Sequence, residues 1–223
     1  MAHFFHAISI LAESSIACYK EMSSRLMGML ANRWKEMYNE QKEVEKMPIP
    51  QERVYTVNDI YDLPEGMRAE LINGKIYYMA PPTRTHQKLV SIFNQIIANH
   101  IDSYHGTCEV YPAPFAVFLD ESSINYVEPD ISVICDPDKL DEKGCHGAPD
   151  WIIEIVSPGS RMMDYHVKLF KYCNAGVTEY WVVDPEKKRI TDHNFLRETT
   201  EEYGLYDPVP VGIYDNFSIK LNS

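Results

Sequence analysis

No apolar run in the 223 residues approaches the roughly 20 consecutive apolar residues that a membrane-spanning helix needs, which excludes a spanning protein. Positive charge is also short. The 21 Lys and Arg against 33 Asp and Glu give a formal charge of -12, so the surface as a whole repels polyanions, and any nucleic-acid role must rest on a local basic patch and metal ions. Cysteine is sparse and scattered: Cys18, Cys108, Cys135, Cys145 and Cys173 form no C-x-x-C pair. That argues against a disulfide framework or a structural zinc site and points to a reducing, cytoplasmic setting. The first twenty residues lack a basic n-region, since Lys20 is the first Lys or Arg, and Glu13 interrupts the apolar stretch, so no secretory signal is read there. What is abundant is apolar: 45% hydrophobic residues suffice for one sizeable core.

Charge divides the chain. Residues 1–46 carry 6 basic and 6 acidic side chains, and 15 basic face 27 acidic from Met47 onwards. Ile8, Leu11, Met22, Leu26, Met29, Leu30, Trp34 and Met37 fall largely at helical spacing, so residues 1–46 read as an amphipathic helical appendage. It is compatible with packing on the domain, with a second copy in a homodimer, or with a start codon placed ahead of a natural start at Met47. Met47–Pro50 is a linker, because neither of its prolines fits a helix interior, and residues 47–223 form the expected domain.

Within that domain a short helix is predicted from Thr56 to Asp62. Ala69–Ile72 and Lys75–Met79 form a hairpin about Asn73-Gly74, the favoured two-residue turn. A helix from Thr83 or Thr85 to about Tyr104 carries Leu89, Ile92, Phe93, Ile96, Ile97 and Ile101 on one face. Strands are expected at Glu109–Leu119, broken by Pro112 and Pro114, then at Val127–Cys135 and Asp150–Ser157. A helix from Arg161 to about Asn174 closes at Gly176. Glu179–Asp184 and Arg189–Phe195 are then paired strands, and a short strand near Val211–Ile219 ends the chain.

Glu154 is the residue that needs explaining. Trp151–Val156 otherwise reads as a strand covered on both faces, and an isolated buried carboxylate is costly. Either a cation or hydrogen-bond donors stabilise it, or its pKa rises and it stays neutral. Asp130 opens the preceding strand, so if the two strands are neighbours both carboxylates converge, offering the oxygen donors that Mg²⁺ prefers. Lys168 lies in the following helix, four residues after Asp164. That spacing is compatible with a surface ion pair, and equally with a lysine reaching the carboxyl end of the Glu154 strand.

Together, the Pro129-Asp130 step, Trp151-Ile152-Ile153-Glu154-Ile155-Val156-Ser157-Pro158, Asp164 with Lys168, and Glu179-Tyr180-Trp181-Val182-Val183-Asp184-Pro185 resemble the Uma-two family of restriction-endonuclease-like proteins. The resemblance runs from about Tyr55 to Asn194 and takes in Leu63–Gly66, Glu70–Tyr77, Ala80–Pro82 and His86. It implies the PD-(D/E)XK fold, an α/β (α+β) domain with a mixed sheet flanked by helices, acting on phosphodiesters with Mg²⁺, for which Mn²⁺ can substitute. The acid-x-lysine triplet of that class stands here as Glu154-Ile155-Val156. In the family the lysine has moved to the next helix, which matches Lys168.

The expectation is therefore an endonuclease acting on nucleic acid, most simply DNA. Asp130, Glu154 and the Ile155 carbonyl would hold the metal, with Lys168 beside them. Glu70 is assigned as an added carboxylate or a hairpin residue, and His86 as a phosphate ligand or a helix cap. Arg84, Lys88, Arg161 and Lys171 are the candidates for a local phosphate-binding patch. The contrasting expectation is a nuclease-like fold without activity that serves as a binding or oligomerisation module.

Overall fold

The computed structural model describes residues 53–222, together with residues 32, 33 and 35, which are helical. The rest of the expected leader helix and the Met47–Pro50 linker lie outside the described residues. The account below concerns the unit that begins at Arg53.

A short helix α1 (Val57–Tyr61) follows Thr56, whose backbone N–H and hydroxyl both donate to Asp59, a capping box. Strands β1 (Ala69–Ile72) and β2 (Lys75–Tyr78) then form the expected hairpin. Both turn residues have positive φ, +52° at Asn73 and +72° at Gly74, the backbone that makes Asn-Gly the favoured pair. Helix α2 (Arg84–Ser103) is capped by the Thr83 hydroxyl, which accepts from the His86 N–H. Its Leu89, Val90, Phe93, Ile97 and Ile101 are buried at helical spacing.

The main sheet contains β3 (Glu109–Pro112), β5 (Ile131–Ile134), β8 (Trp151–Ile155), β9 (Glu179–Asp184), β10 (Arg189–Asn194) and β11 (Thr199–Gly204). Its order is β11-β10-β9-β8-β5-β3, with only β8 and β9 parallel. A parallel pair needs a crossover, and here it is a widened π-helical segment (Met163–Lys168) that runs on into helix α3 (Leu169–Ala175) and ends at Gly176 with φ +95°. A smaller sheet of β4 (Val117–Phe118), β6 (Leu140–Asp141) and β7 (Gly144–His146), and a terminal pair β12 (Val209–Pro210) with β13 (Ser218–Ile219), complete the fold.

Alternation along the central strands builds two cores. Trp151, Ile153, Ile155, Trp181 and Val183 pack with the α2 residues, whereas Ile152, Val156, Tyr180 and Val182 pack on the opposite face with Tyr172 of α3. Each such aliphatic or aromatic side chain contributes about 1.5–3 kcal/mol on burial. Glu154 has the parity of Ile152 and Val156 and therefore faces the α3 layer.

Three readings are corrected. Thr199–Gly204 forms an edge strand that its polar residues conceal, whereas the predicted Val211–Ile219 strand is reduced to β13, which pairs with β12. Cys108 and Cys135 are joined by a disulfide across the ends of β3 and β5. Strand pairing brings together thiols 27 residues apart, which sequence spacing did not reveal. No helix among the described residues is long and apolar enough to cross a membrane.

Candidate functional site

β5 and β8 are antiparallel neighbours, with Ile131 opposite Ile153. Asp130 at the entrance to β5 thereby comes beside Glu154 and Ile155 at the far end of β8. The Ile155 N–H donates to Asp130 Oδ2 at 2.8 Å, and the Asp130 N–H approaches Glu154 Oε2 at 3.5 Å.

Glu70 arrives from the hairpin. A bridge between Leu71 and Tyr126 docks the hairpin on the segment leading to β5, with N–H···O distances of 2.7 and 2.8 Å. Glu70 Oε1 then accepts from the Glu128 N–H at 3.0 Å. Lys168 projects from the π-helical segment to both acids, 2.8 Å from Glu154 Oε1 and 2.9 Å from Glu70 Oε1. The Tyr172 hydroxyl donates to the same Glu154 oxygen at 2.8 Å. Glu154 thus meets a cation and a donor, and burial raises its carboxyl above the ordinary carboxylate range, against the pull of Lys168.

Lys168 is no surface residue. Its side chain is 6% exposed, and its ion pairs are with Glu154 and Glu70 rather than Asp164, so the i,i+4 surface pair does not form. Burial disfavours its ammonium, but Glu154, Glu70 and Asp164 outweigh burial and raise its pKa above the usual lysine value. A lysine held this firmly as an ammonium suits charge stabilisation better than proton abstraction.

Asp164, which the sequence offered only as a partner for Lys168, is a buried fourth carboxylate of the site. Ser160 Oγ donates to its Oδ2 at 2.5 Å, and the Tyr180 hydroxyl donates to its backbone carbonyl at 2.9 Å. Burial raises its carboxyl to about 6, with Lys168 and Ser160 pulling the other way. The π-helical winding, a feature common at functional sites, carries both Asp164 and Lys168 inward. Their shared i,i+4 face was the available signal; Tyr172, also unanticipated, had none.

His86, in the first turn of α2, places Nε2 3.0 Å from Asp130 Oδ2. Burial lowers its pKa, yet Asp130 and the nearby Asp164 and Ile155 backbone outweigh that and raise it overall. These groups line a cleft of about 660 Å³ between the hairpin, the start of α2 and the Ser157–Ser160 turn.

The phosphate-contact candidates separate. Arg84 and Lys88 are exposed on the first two turns of α2, without ion-pair partners among the described residues. Lys171 is half-buried on α3. Arg161 is committed elsewhere: its guanidinium binds the fully buried Asp184, and it reaches Glu186 at 2.9 Å. Asp184 is correspondingly held below the usual carboxylate range; burial opposes this, and the Lys187 N–H and Arg161 prevail. Asp184, read as a turn residue, is therefore also an ion-pair anchor.

As the side chains stand, no three His, Cys, Asp or Glu groups among the described residues converge as a metal cluster. Lys168 and His86 neutralise the acids directly. The donor set nonetheless fits a hard divalent cation in chemistry and charge: Glu70, Asp130, Glu154 and Asp164 outnumber Lys168 and His86, and oxygen donors predominate.

A mixed sheet with this cluster at the ends of two central strands defines a restriction-endonuclease-like domain of the nuclease class. The Uma2 family model, described as "Putative restriction endonuclease", matches residues 57–209, and the chain belongs to that family. It is 27% identical over 122 residues to the uncharacterized protein slr1290 of Synechocystis sp. (strain PCC 6803), an alignment that covers 54% of this chain and 63% of that protein's length. The crystal structure of "a putative nuclease belonging to DUF820" from Anabaena variabilis superposes with a TM-score of 0.58 at 22% identity, over 71% of this chain and 89% of that one. That likeness establishes the shared fold.

Proposed function

We propose that this domain is a Mg²⁺-dependent endonuclease that hydrolyses phosphodiester bonds in nucleic acid, with DNA as substrate. The observation that carries this reading is the meeting of Glu70 from the hairpin, Asp130 before β5, Glu154 of β8, and Asp164 and Lys168 of the π-helical segment in one cleft. A fold has no packing reason to gather four carboxylates, which repel one another and are costly to bury.

Asp130 and Glu154 would hold the metal, with the Ile155 carbonyl, and Glu70 stands ready as an added oxygen donor. When bound, Mg²⁺ supplies an acidified water and an electrostatic partner for charge that builds on the phosphate. Lys168, fixed as an ammonium, orients the attacking water or stabilises the phosphate oxygens. His86 aligns the Asp130 carboxylate through its 3.0 Å contact. Arg84 and Lys88 hold the flanking phosphates.

The test is calorimetric titration of Mg²⁺ and Mn²⁺ into the wild type, Asp130→Asn and Glu154→Gln, beside a cleavage screen of plasmid, single-stranded DNA and RNA. The reading expects metal binding in the wild type, its loss in both variants, and cleavage lost with it. A folded wild type that binds no metal, even with nucleic acid present, overturns the reading in favour of an inactive binding or oligomerisation module.

A further inference from the structure

The lining of the cleft is mixed in chemistry. Beside the acids runs strand β2 and its continuation, where Tyr77 pairs with Glu70 across the hairpin and therefore shares its site-facing side. The Met79 N–H bonds to the Arg68 carbonyl, which extends the same register, so Met79 follows Tyr77 on that face. Ala69, Leu71 and Ile76 occupy the opposite face and pack into a separate core. Ala80, Pro81 and Pro82 continue the apolar wall along the cleft. Tyr77 is half-buried: part of its ring packs against the core that contains Ile72, and the rest lines the cleft.

Positive charge inside the cleft is already used. Among the described residues its lining Lys and Arg residues are Arg68 and Lys168; Arg68 donates to Glu128 at 2.8 Å, and Lys168 is held by Glu154 and Glu70. The exposed Arg84 and Lys88 lie outside that lining, so among the described residues the cleft itself adds no unpaired Lys or Arg for the several backbone phosphates that a duplex presents. The volume of about 660 Å³ belongs with pockets of about 300–1,000 Å³ that enclose a small molecule or a single base.

We propose that the cleft receives an unpaired nucleotide strand, with a base laid against Tyr77 and Met79 and the adjoining phosphate turned towards the acids. Aromatic rings bind unpaired bases by stacking, which needs no free cation and tolerates any base. The inference rests on the nuclease reading and adds the strandedness of the substrate and a specificity residue, Tyr77.

The experiment measures fluorescence anisotropy of one labelled DNA oligonucleotide as a single strand, as a full duplex and as a duplex with an internal unpaired bubble. Ca²⁺ replaces Mg²⁺ to suppress turnover. The single strand and the bubble are expected to bind at least roughly tenfold more tightly than the duplex, and Tyr77→Leu to weaken single-strand binding roughly tenfold, while Tyr77→Phe retains it. Leucine keeps apolar packing at this half-buried position, and a melting curve checks that it folds. Duplex binding as tight as single-strand binding, or single-strand binding indifferent to Tyr77→Leu, overturns the inference. Duplex cleavage that depends on Asp130 and Glu154 without single-strand preference sinks the strandedness alone and leaves the nuclease reading. Tyr77-dependent single-strand binding without cleavage of any nucleic acid supports the binding site and removes the nuclease reading.

Discussion

Lys168 Nζ lies 2.8 Å from Glu154 Oε1, with both side chains almost wholly buried although the two residues are 14 positions apart in the chain. Glu154 supplies the charge that keeps Lys168 an ammonium, and Lys168 is the cation that makes a carboxylate in the middle of β8 tolerable. Removing one partner of such a pair leaves an uncompensated buried charge. Lys168→Met should therefore destabilise the domain by about 3–5 kcal/mol in denaturant unfolding. Adding Glu154→Gln should recover part of that loss, because it removes one of the two buried carboxylates, Glu154 and Glu70, that Lys168 pairs. Equal stability of Lys168→Met and wild type would contradict the pairing.

Arg161 should behave as a structural residue. Its guanidinium is the partner of the fully buried Asp184, so Arg161→Ala is expected to cost about 1–3 kcal/mol of stability. Its effect on nucleic-acid affinity should be small by comparison. Fluorescence-monitored unfolding beside binding titrations separates the two effects.

Arg84 and Lys88 carry the opposite expectation. Each is exposed and without an ion-pair partner among the described residues, so alanine at either should leave the melting temperature nearly unchanged. If each meets a phosphate, each substitution lowers the slope of log K against log salt by about 1. An unchanged slope in both would remove them from the interface.

Asp192 on β10 predicts a pH dependence of stability. Burial, with Glu179 and Glu201 adding to it, raises its carboxyl from 3.8 to about 7. The unfolded chain ionises this group from about pH 4 upwards while the folded protein keeps it neutral. Its contribution is therefore fully present below pH 3.8 and is lost as pH rises through about 7. Asp192→Asn should flatten the fall in melting temperature across that window relative to the wild type, and parallel curves would contradict the assignment.

Much of the site was legible because Glu154 broke the apolar pattern of its own strand. Asp130 followed from the same logic, since two adjacent strands with acids at their meeting ends bring those acids together. The hairpin and α2 were legible from local chemistry, the Asn-Gly turn and the helical period. What escaped depended on pairing between distant segments. Polar Thr199–Gly204 becomes a strand because β10 offers it an edge, and Cys108 meets Cys135 because β3 pairs with β5. Asp164 turns inward because the helix widens locally, and Arg161 leaves the expected phosphate patch because Asp184 lies opposite it at the end of β9.

The most direct test of the central claim is Mg²⁺-dependent cleavage of nucleic acid by wild type and Glu154→Gln at equal concentration, with unfolding curves confirming that both are folded. Glutamine keeps the shape of the glutamate and one accepting oxygen, and removes its charge. The account predicts cleavage by the wild type and a loss of at least about a hundredfold in the variant, the scale of removing a principal electrostatic contributor. Equal cleavage by the two proteins would contradict it.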